Sequence, residues 1–242
     1  FDNPYWNELE NGSFETPKCD SGNGKQYTNE NYTNANGVWK STSPVTKNAQ
    51  IEIVNGRANL SSTSNSYSWY YPNGYKQNSS CAADGYQFAE LNCEAAGALY
   101  QDVMTISGET MNYWLSHRAR GTTANSTAEY DTMYLVIMPT SIAMTAGTGN
   151  TELKTQEQLK AYLQNKKINI DTKYSKAEDQ LVYSEDKDGV LVLRVTSNDQ
   201  SWNSINKISG YVAKSYLTRF FFVAGNTASG NNTVGNFLDK VG

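Results

Sequence analysis

From residue 86 to residue 225 the chain is a series of short, strand-forming runs with mostly brief breaks, and that pattern leaves few folds open. The runs are YQFAELN (86–92), GALYQDVMTI (97–106), ETMNYWLSHRAR (109–120), DTMYLVIM (131–138), QLVYS (180–184), VLVLRVTS (190–197), GYVAK (210–214) and TRFFFVAG (218–225). Each is rich in β-branched or aromatic residues, which suit a pleated, half-buried backbone. Ser107-Gly108 and the stretch 121–126 are turn formers between them. Hairpin-length connections bring consecutive strands side by side in opposite directions, so the sheets are expected to be antiparallel. Ile51-Glu52-Ile53-Val54 adds an earlier strand. One segment departs from the pattern: Thr155 and Gln158 have capping-box spacing, and Leu159, Tyr162 and Leu163 follow at helical intervals. The expectation is one all-β antiparallel sandwich spanning 1–242, with a short helix over about 155–166 inserted between strands.

Composition says what fills such a sandwich. With 17 Tyr, 7 Phe and 5 Trp, and only 18% charged residues, aromatic rings must supply much of the core. The remaining surface is polar without being charged, which suits an exported protein that meets neutral, hydroxyl-rich partners. A net charge of −4 and no visible basic stripe argue against nucleic acid. No apolar run approaches the roughly 18–20 residues needed to span a bilayer, so membrane insertion is not expected. The start at Phe1 is expected to be that of a mature or trimmed chain.

Two short motifs sit at the ends of the chain, NGSFE at 11–15 and GNFLD at 235–239. Each places a glycine, an aromatic residue and a carboxylate within five positions, as if two strand ends met and presented Glu15 and Asp239 to one point. Two carboxylates with an oxygen from Asn11 would make a hard-oxygen site of the kind calcium prefers; solvated carboxylates at strand ends are the plainer alternative. Cys19 and Cys81 lie in polar, loop-like stretches and could form a disulfide in an exported protein, while Cys93 reads as a small buried residue.

The segments 83–103, 113–120, 131–137, 201–214, 218–224 and 234–241, together with NGSFE, resemble jelly-roll domains on surface and secreted proteins of gut Gram-positive bacteria. Those domains are akin to calcium-containing carbohydrate-binding modules that begin with a similar N-G-x-F-E motif. The resemblance covers about two thirds of the chain. It implies a jelly-roll fold, a structural calcium held by Glu15 and Asp239 that staples the first strand to the last, and a place within a larger multidomain protein as a monomeric unit. The tyrosine- and asparagine-rich style is similar to that of starch-adherence proteins, which implies an α-glucan ligand. The loop at 57–80 and the insertion at about 141–185 depart from the pattern, and specificity on such scaffolds is usually set by loops.

The first of these carries the leading ligand candidates. Trp69, Tyr70, Tyr71 and Tyr75 offer rings on which sugar C–H faces pack, with neighbouring Asn and Gln side chains for the hydroxyls; the alternative is a loop that buries its own aromatics. On the strand at 109–120, Trp114, Ser116, Arg118 and Arg120 share a side by alternation. They form either a salt-bridge network with Glu90 or Asp131 or the lining of a polar cleft. Gln87 and Glu90 belong to the adjoining strand and are further candidates for sugar contact. His117, the single histidine, leaves no histidine-based zinc site and lacks a nucleophile-elbow context. The expected function is a non-catalytic carbohydrate-binding module; a protein-binding adhesin or a jelly-roll glycoside hydrolase or lyase are the alternatives.

Overall fold

The computed structural model describes residues 8–19, 24–57, 79–120 and 129–242. These residues form two six-stranded sheets, antiparallel throughout. The first sheet runs, edge to edge, β1 (Gly24–Tyr27), β3 (Ile51–Asn55), β4 (Gln87–Glu90), β12 (Phe237–Asp239), β6 (Thr110–Arg118) and β10 (Asn203–Val212). The second runs β2 (Lys40–Ser41), β5 (Ala98–Met104), β11 (Leu217–Ala224), β7 (Asp131–Pro139), β9 (Val190–Ser197) and β8 (Gln180–Glu185). From β4 to β7 and again from β9 to β12 the chain changes sheet at every step, giving a jelly-roll sandwich. Three short helices accompany it: α1 (Asn29–Asn34), α2 (Thr140–Ala143) and α3 (Gln156–Asn165). No described helix is long and apolar enough to cross a membrane.

Period-two alternation sorts the side chains. On β6, Met111, Tyr113 and Leu115 point into the space between the sheets, while Asn112 and Trp114 point out. Leu115, Leu135, Leu193, Phe222 and Leu238 meet in that central core, with Trp39 packed against Phe14 and Phe222. A second apolar layer lies behind the second sheet. There Tyr134, Val136, Val192, Phe221 and Val223 pack against Ala143, Leu153, Leu159, Leu163 and Ile170 of the 140–170 segment. That cover explains why β7 and β9 read as nearly continuous apolar runs: both of their faces are buried. The capping box of α3 forms as expected, with the Thr155 hydroxyl accepting from the Gln158 N–H.

The structure differs from the sequence expectation in three places. The stretch 16–37, dense in turn formers, contains β1 and α1; β1 is ordered by its pairing with β3, and α1 is anchored by buried Tyr32. β10 begins at Asn203 rather than near 210, because polar residues on its outer side are tolerated by a sheet edge. No disulfide joins Cys19 and Cys81. Cys19 packs in the central core and Cys81 in a cluster with Val54, Phe88 and Phe237, so the two thiols belong to different apolar layers.

Candidate functional site

The outer face of the first sheet has no helical cover among the described residues, and it gathers most of the candidate residues that lie within them. Cross-strand pairing sets its rows. Glu52, Glu90, Phe237 and Arg118 lie opposite one another across β3, β4, β12 and β6. The next row carries Asp239, Ser116 and Ser204, and the next Trp114 and Asn206. Residues directly opposite in a ladder share a face, so these side chains form one continuous surface.

Its open part is at the β6–β10 side. Trp114 is 43% exposed, with its indole packed against Gly242. Asn112, Ser204 and Asn206 beside it are also exposed, and the Ser116 and Ser204 hydroxyls lie 2.8 Å apart. An accessible ring flanked by hydroxyls and amides can take an apolar sugar face and its hydroxyl rim together.

The deeper part is closed. Arg118 is fully buried, and its guanidinium sits 5.1 Å from the Phe88 ring centre and 5.0 Å from those of Trp202 and Phe237. It donates to the Gln200 carbonyl at 3.3 Å, while Trp202 is fixed by its indole N–H bond to the Cys81 carbonyl at 2.9 Å. Glu90 is also buried; its Oε1 accepts from Arg120 at 2.9 Å and from the Gly235 N–H at 2.8 Å. Burial, reinforced by the charge of Glu52, pushes the Glu90 carboxyl up to about 8 despite Arg120. The expected arginine–carboxylate network therefore exists for Arg120 and Glu90. Asp131 meets Arg120 through the backbone N–H, and also caps the N–H groups of Ala228 and Asn236.

Gln87 faces the other way. Its buried amide donates to the carbonyls of Phe14 and Pro17 and accepts from the Cys19 N–H, which ties the N-terminal segment to β4. It is a tie within the fold, away from the open face. Trp69, Tyr70, Tyr71 and Tyr75 lie outside the described residues. The anchors of their loop are described: the Gly56 N–H donates to the Tyr86 carbonyl, the Cys81 N–H to the Gly56 carbonyl, and Arg57 stacks on Tyr86 at 3.4 Å. Cys81 belongs to the same apolar cluster as Phe88, Phe237 and Trp202, so the 57–80 loop leaves and rejoins the sandwich beside the outer face.

His117 stands between Ser197, 3.0 Å from Nδ1, and Asn236, 2.8 Å from Nε2. Asn236 donates its own amide to Asn92, so its oxygen faces the ring and Nε2 carries the proton. Burial holds the imidazole pKa below its ordinary value. The three side chains have the order of a serine–histidine–amide relay, but all are buried, and His117 and Asn236 are spent on structural partners.

The end motifs do converge. Asp239 Oδ2 accepts from the N–H groups of Ala83 and Asp84 at 2.7 and 2.9 Å, and Glu15 Oε1 from those of Tyr86 and Gln87 at 2.6 and 2.8 Å. Both carboxylates thus clasp one segment, 83–87, and Gly85 at its centre adopts a positive φ of 63° where a Cβ would strike Glu15. Burial pushes the Asp239 carboxyl up to about 8, against the pull of three backbone N–H donors. Asn11 is engaged elsewhere, with its side chain bonded to both the N–H and the carbonyl of Thr16. Among the described residues, no three His, Cys, Asp or Glu side chains group as a metal cluster. Among the described residues, Glu15 Oε2 has no hydrogen-bond partner, and the other oxygen of the fully buried Asp239, Oδ1, accepts from the Lys240 N–H at 2.7 Å. Both are hard donors of the type calcium takes, and Asp239 makes no ion pair with a basic side chain among the described residues.

The residues that sequence reasoning missed are Phe88, Phe237, Ser204 and Asn206. The alternation of 203–207 was the available signal for the last two.

No protein-family model matches the chain, and no curated protein matches it. Among solved structures, TmCBM61 in complex with β-1,4-galactotriose is similar at 12% identity and a TM-score of 0.41, over 97% of this chain and 95% of that one. The enzymatically active domain of tailspike protein 4 of bacteriophage CBA120 aligns at 12% identity and a TM-score of 0.33, over 98% of this chain but 21% of that one. Neither likeness is close enough to carry a function to this chain.

Proposed function

We propose that this chain is a non-catalytic carbohydrate-binding module of an exported, cell-surface or secreted protein, with the outer face of the first sheet as its glycan platform. The observation that carries this is Trp114, an indole left accessible on a sheet face between the amides and hydroxyls of Asn112, Ser204 and Asn206. A pyranose stacks its C–H face on such a ring and directs its hydroxyls to the rim. Trp69, Tyr70, Tyr71 and Tyr75 would extend the stacking surface, since their loop is anchored at the edge of that face. Arg118 and Glu90 act from beneath it: one holds Phe88, Trp202 and Phe237 in place, the other holds Arg120.

Among neutral glycans we place α-glucans such as starch and maltooligosaccharides first, on the resemblance in sequence style to starch-adherence proteins. A single shallow site of this kind binds in the range of roughly micromolar to millimolar, so the module would work in multiple copies or beside other modules. The non-catalytic assignment draws on the burial of Glu90 and Asp131, since glycoside hydrolysis needs two carboxylates about 5–10 Å apart flanking a bond in an open cleft. We also take Glu15 and Asp239, without Asn11, to hold a structural calcium, whose charge would draw the buried Asp239 carboxyl into its ionised form.

The test is a panel of amylopectin, β-1,4-galactan, mixed-linkage β-glucan, xylan and mucin, read for binding and for release of reducing or unsaturated ends. Retention by amylopectin without turnover is expected. Sustained product release lost in Glu90→Gln would make the protein an enzyme. Failure of the whole panel would favour a protein-binding role, for which the exposed cluster of Met104, Ile106, Tyr216 and Leu217 is the place to look.

A further inference from the structure

Away from the outer face, a cavity of about 620 Å³ opens between the loop that follows β2 and the first turn of α3. That volume lies within the range of about 300–1,000 Å³ usual for small-ligand sites. Its walls are held by hydrogen bonds that need no ligand. Gln50 accepts from the Asn29 N–H at 3.1 Å and donates to the Ser43 carbonyl at 2.7 Å. The Asn29 amide in turn bonds both the N–H and the carbonyl of Ser41 at 2.7 and 2.9 Å. Across the cavity, the Gln156 N–H donates to the Thr42 carbonyl at 3.0 Å, and the Thr42 hydroxyl donates to Gln156 Oε1 at 2.8 Å. The 41–50 loop and the helix start are therefore fixed relative to each other before anything binds, which lowers the ordering cost of binding.

A second set of lining side chains has no such duty. Lys154, Glu157 and Asn232 make no side-chain hydrogen bond or ion pair among the described residues. Charge in the cavity balances: Lys154 and Lys160 face Glu157 and Asp171, and Lys160 is already paired with Asp171. The lining contains no aromatic ring; its apolar part, Pro44, Val45, Ala96, Ile170 and Ala224, makes up most of its exposed surface. A balanced field favours neither an anion nor a cation, and a mostly aliphatic lining edged by hydroxyls and amides matches a neutral ligand that carries both C–H faces and hydroxyls.

We propose that this cavity is a second binding site, for a short neutral oligosaccharide, working by aliphatic contact and hydrogen bonding rather than aromatic stacking. Lys154 and Asn232 are the ligand contacts, and Gln50, Asn29 and Gln156 are positioning residues that hold the walls. The site shares no lining residue with the Trp114 platform and does not depend on it.

Backbone amide chemical-shift mapping of the intact protein tests this with maltotriose, cellotriose, xylotriose and β-1,4-galactotriose as neutral probes and a galacturonate trimer as the charged one. At least one neutral trisaccharide is expected to shift residues 41–45 and 154–157. The variant Lys154→Ala/Asn232→Ala is expected to weaken that response at least about tenfold, in line with losing two hydrogen bonds. Asn232→Trp, which keeps the backbone carbonyl used by Asn92 and narrows the mouth, is expected to abolish it. Shifts confined to the neighbourhood of Trp114 would overturn this site while leaving the platform standing. A response to galacturonate alone would overturn the neutral ligand class, and silence of residues 41–45 and 154–157 across the panel would overturn this site.

Discussion

Arg118 illustrates how much of the outer face depends on one buried side chain. A guanidinium enclosed by three rings is worth its packing as well as its charge. Arg118→Ala is expected to destabilise the fold by about 2–4 kcal/mol, measured by urea unfolding, through the cavity it leaves; a loss below about 1 kcal/mol would mean the rings collapse onto the space. Glu90 makes a different prediction. Its folded pKa, about 8, lies above the ordinary carboxylate value of 4.5. The protonated form is therefore the one the fold favours, and its contribution is fully present below about pH 4.5 and is lost as the pH rises toward 8. Glu90→Gln is expected to flatten the stability-against-pH curve between those limits. An unchanged slope would show that Arg120 keeps the carboxylate ionised in the fold.

Among the elements, α3 is the one the sequence specifies most fully and the one whose purpose it conceals. Thr155, Gln158, Leu159 and Leu163 announce a capped amphipathic helix, but only the fold reveals that its apolar stripe covers the outer face of the second sheet. Thr155→Ala is expected to cost about 1 kcal/mol as a lost cap and Leu159→Ala about 2–4 kcal/mol as a core truncation, both read from urea midpoints, with Leu159→Ala the larger. Equal losses would contradict the helix's role as a cover. The strands from 86 to 138 were legible because alternation and β-branching are local signals. β1 and α1 were not, because what orders them is distant: pairing with β3 and the seating of Tyr32. The pairing of Arg120 with Glu90 was within reach, since both residues follow from strand alternation. The aromatic box around Arg118 was not, because Phe88, Phe237 and Trp202 come from three strand regions that register alone brings together. Gln87, expected as a sugar contact, turned out to be a tie to the 14–19 segment, because those partners are brought to it by the tertiary fold alone.

At the scale of the whole molecule, the two chain ends are joined through a third segment: Glu15 and Asp239 both hold 83–87. If calcium completes that clasp, adding it to metal-stripped protein is expected to raise the melting temperature, and Asp239→Asn is expected to remove the response; equal melting with calcium and with chelator would leave the backbone N–H groups as the whole of the clasp. The second sheet is covered by the 140–170 segment, and the first leaves Trp114 exposed on its outer face. Glycan binding on that face is tested most directly by native affinity electrophoresis through gels containing amylopectin, comparing the wild-type protein with Trp114→Ala, both shown to be folded. The wild type is expected to be retarded and Trp114→Ala to migrate as in a gel without polysaccharide. Equal retardation of the two proteins would contradict the outer-face platform, and free migration of the wild type would contradict amylopectin as its ligand.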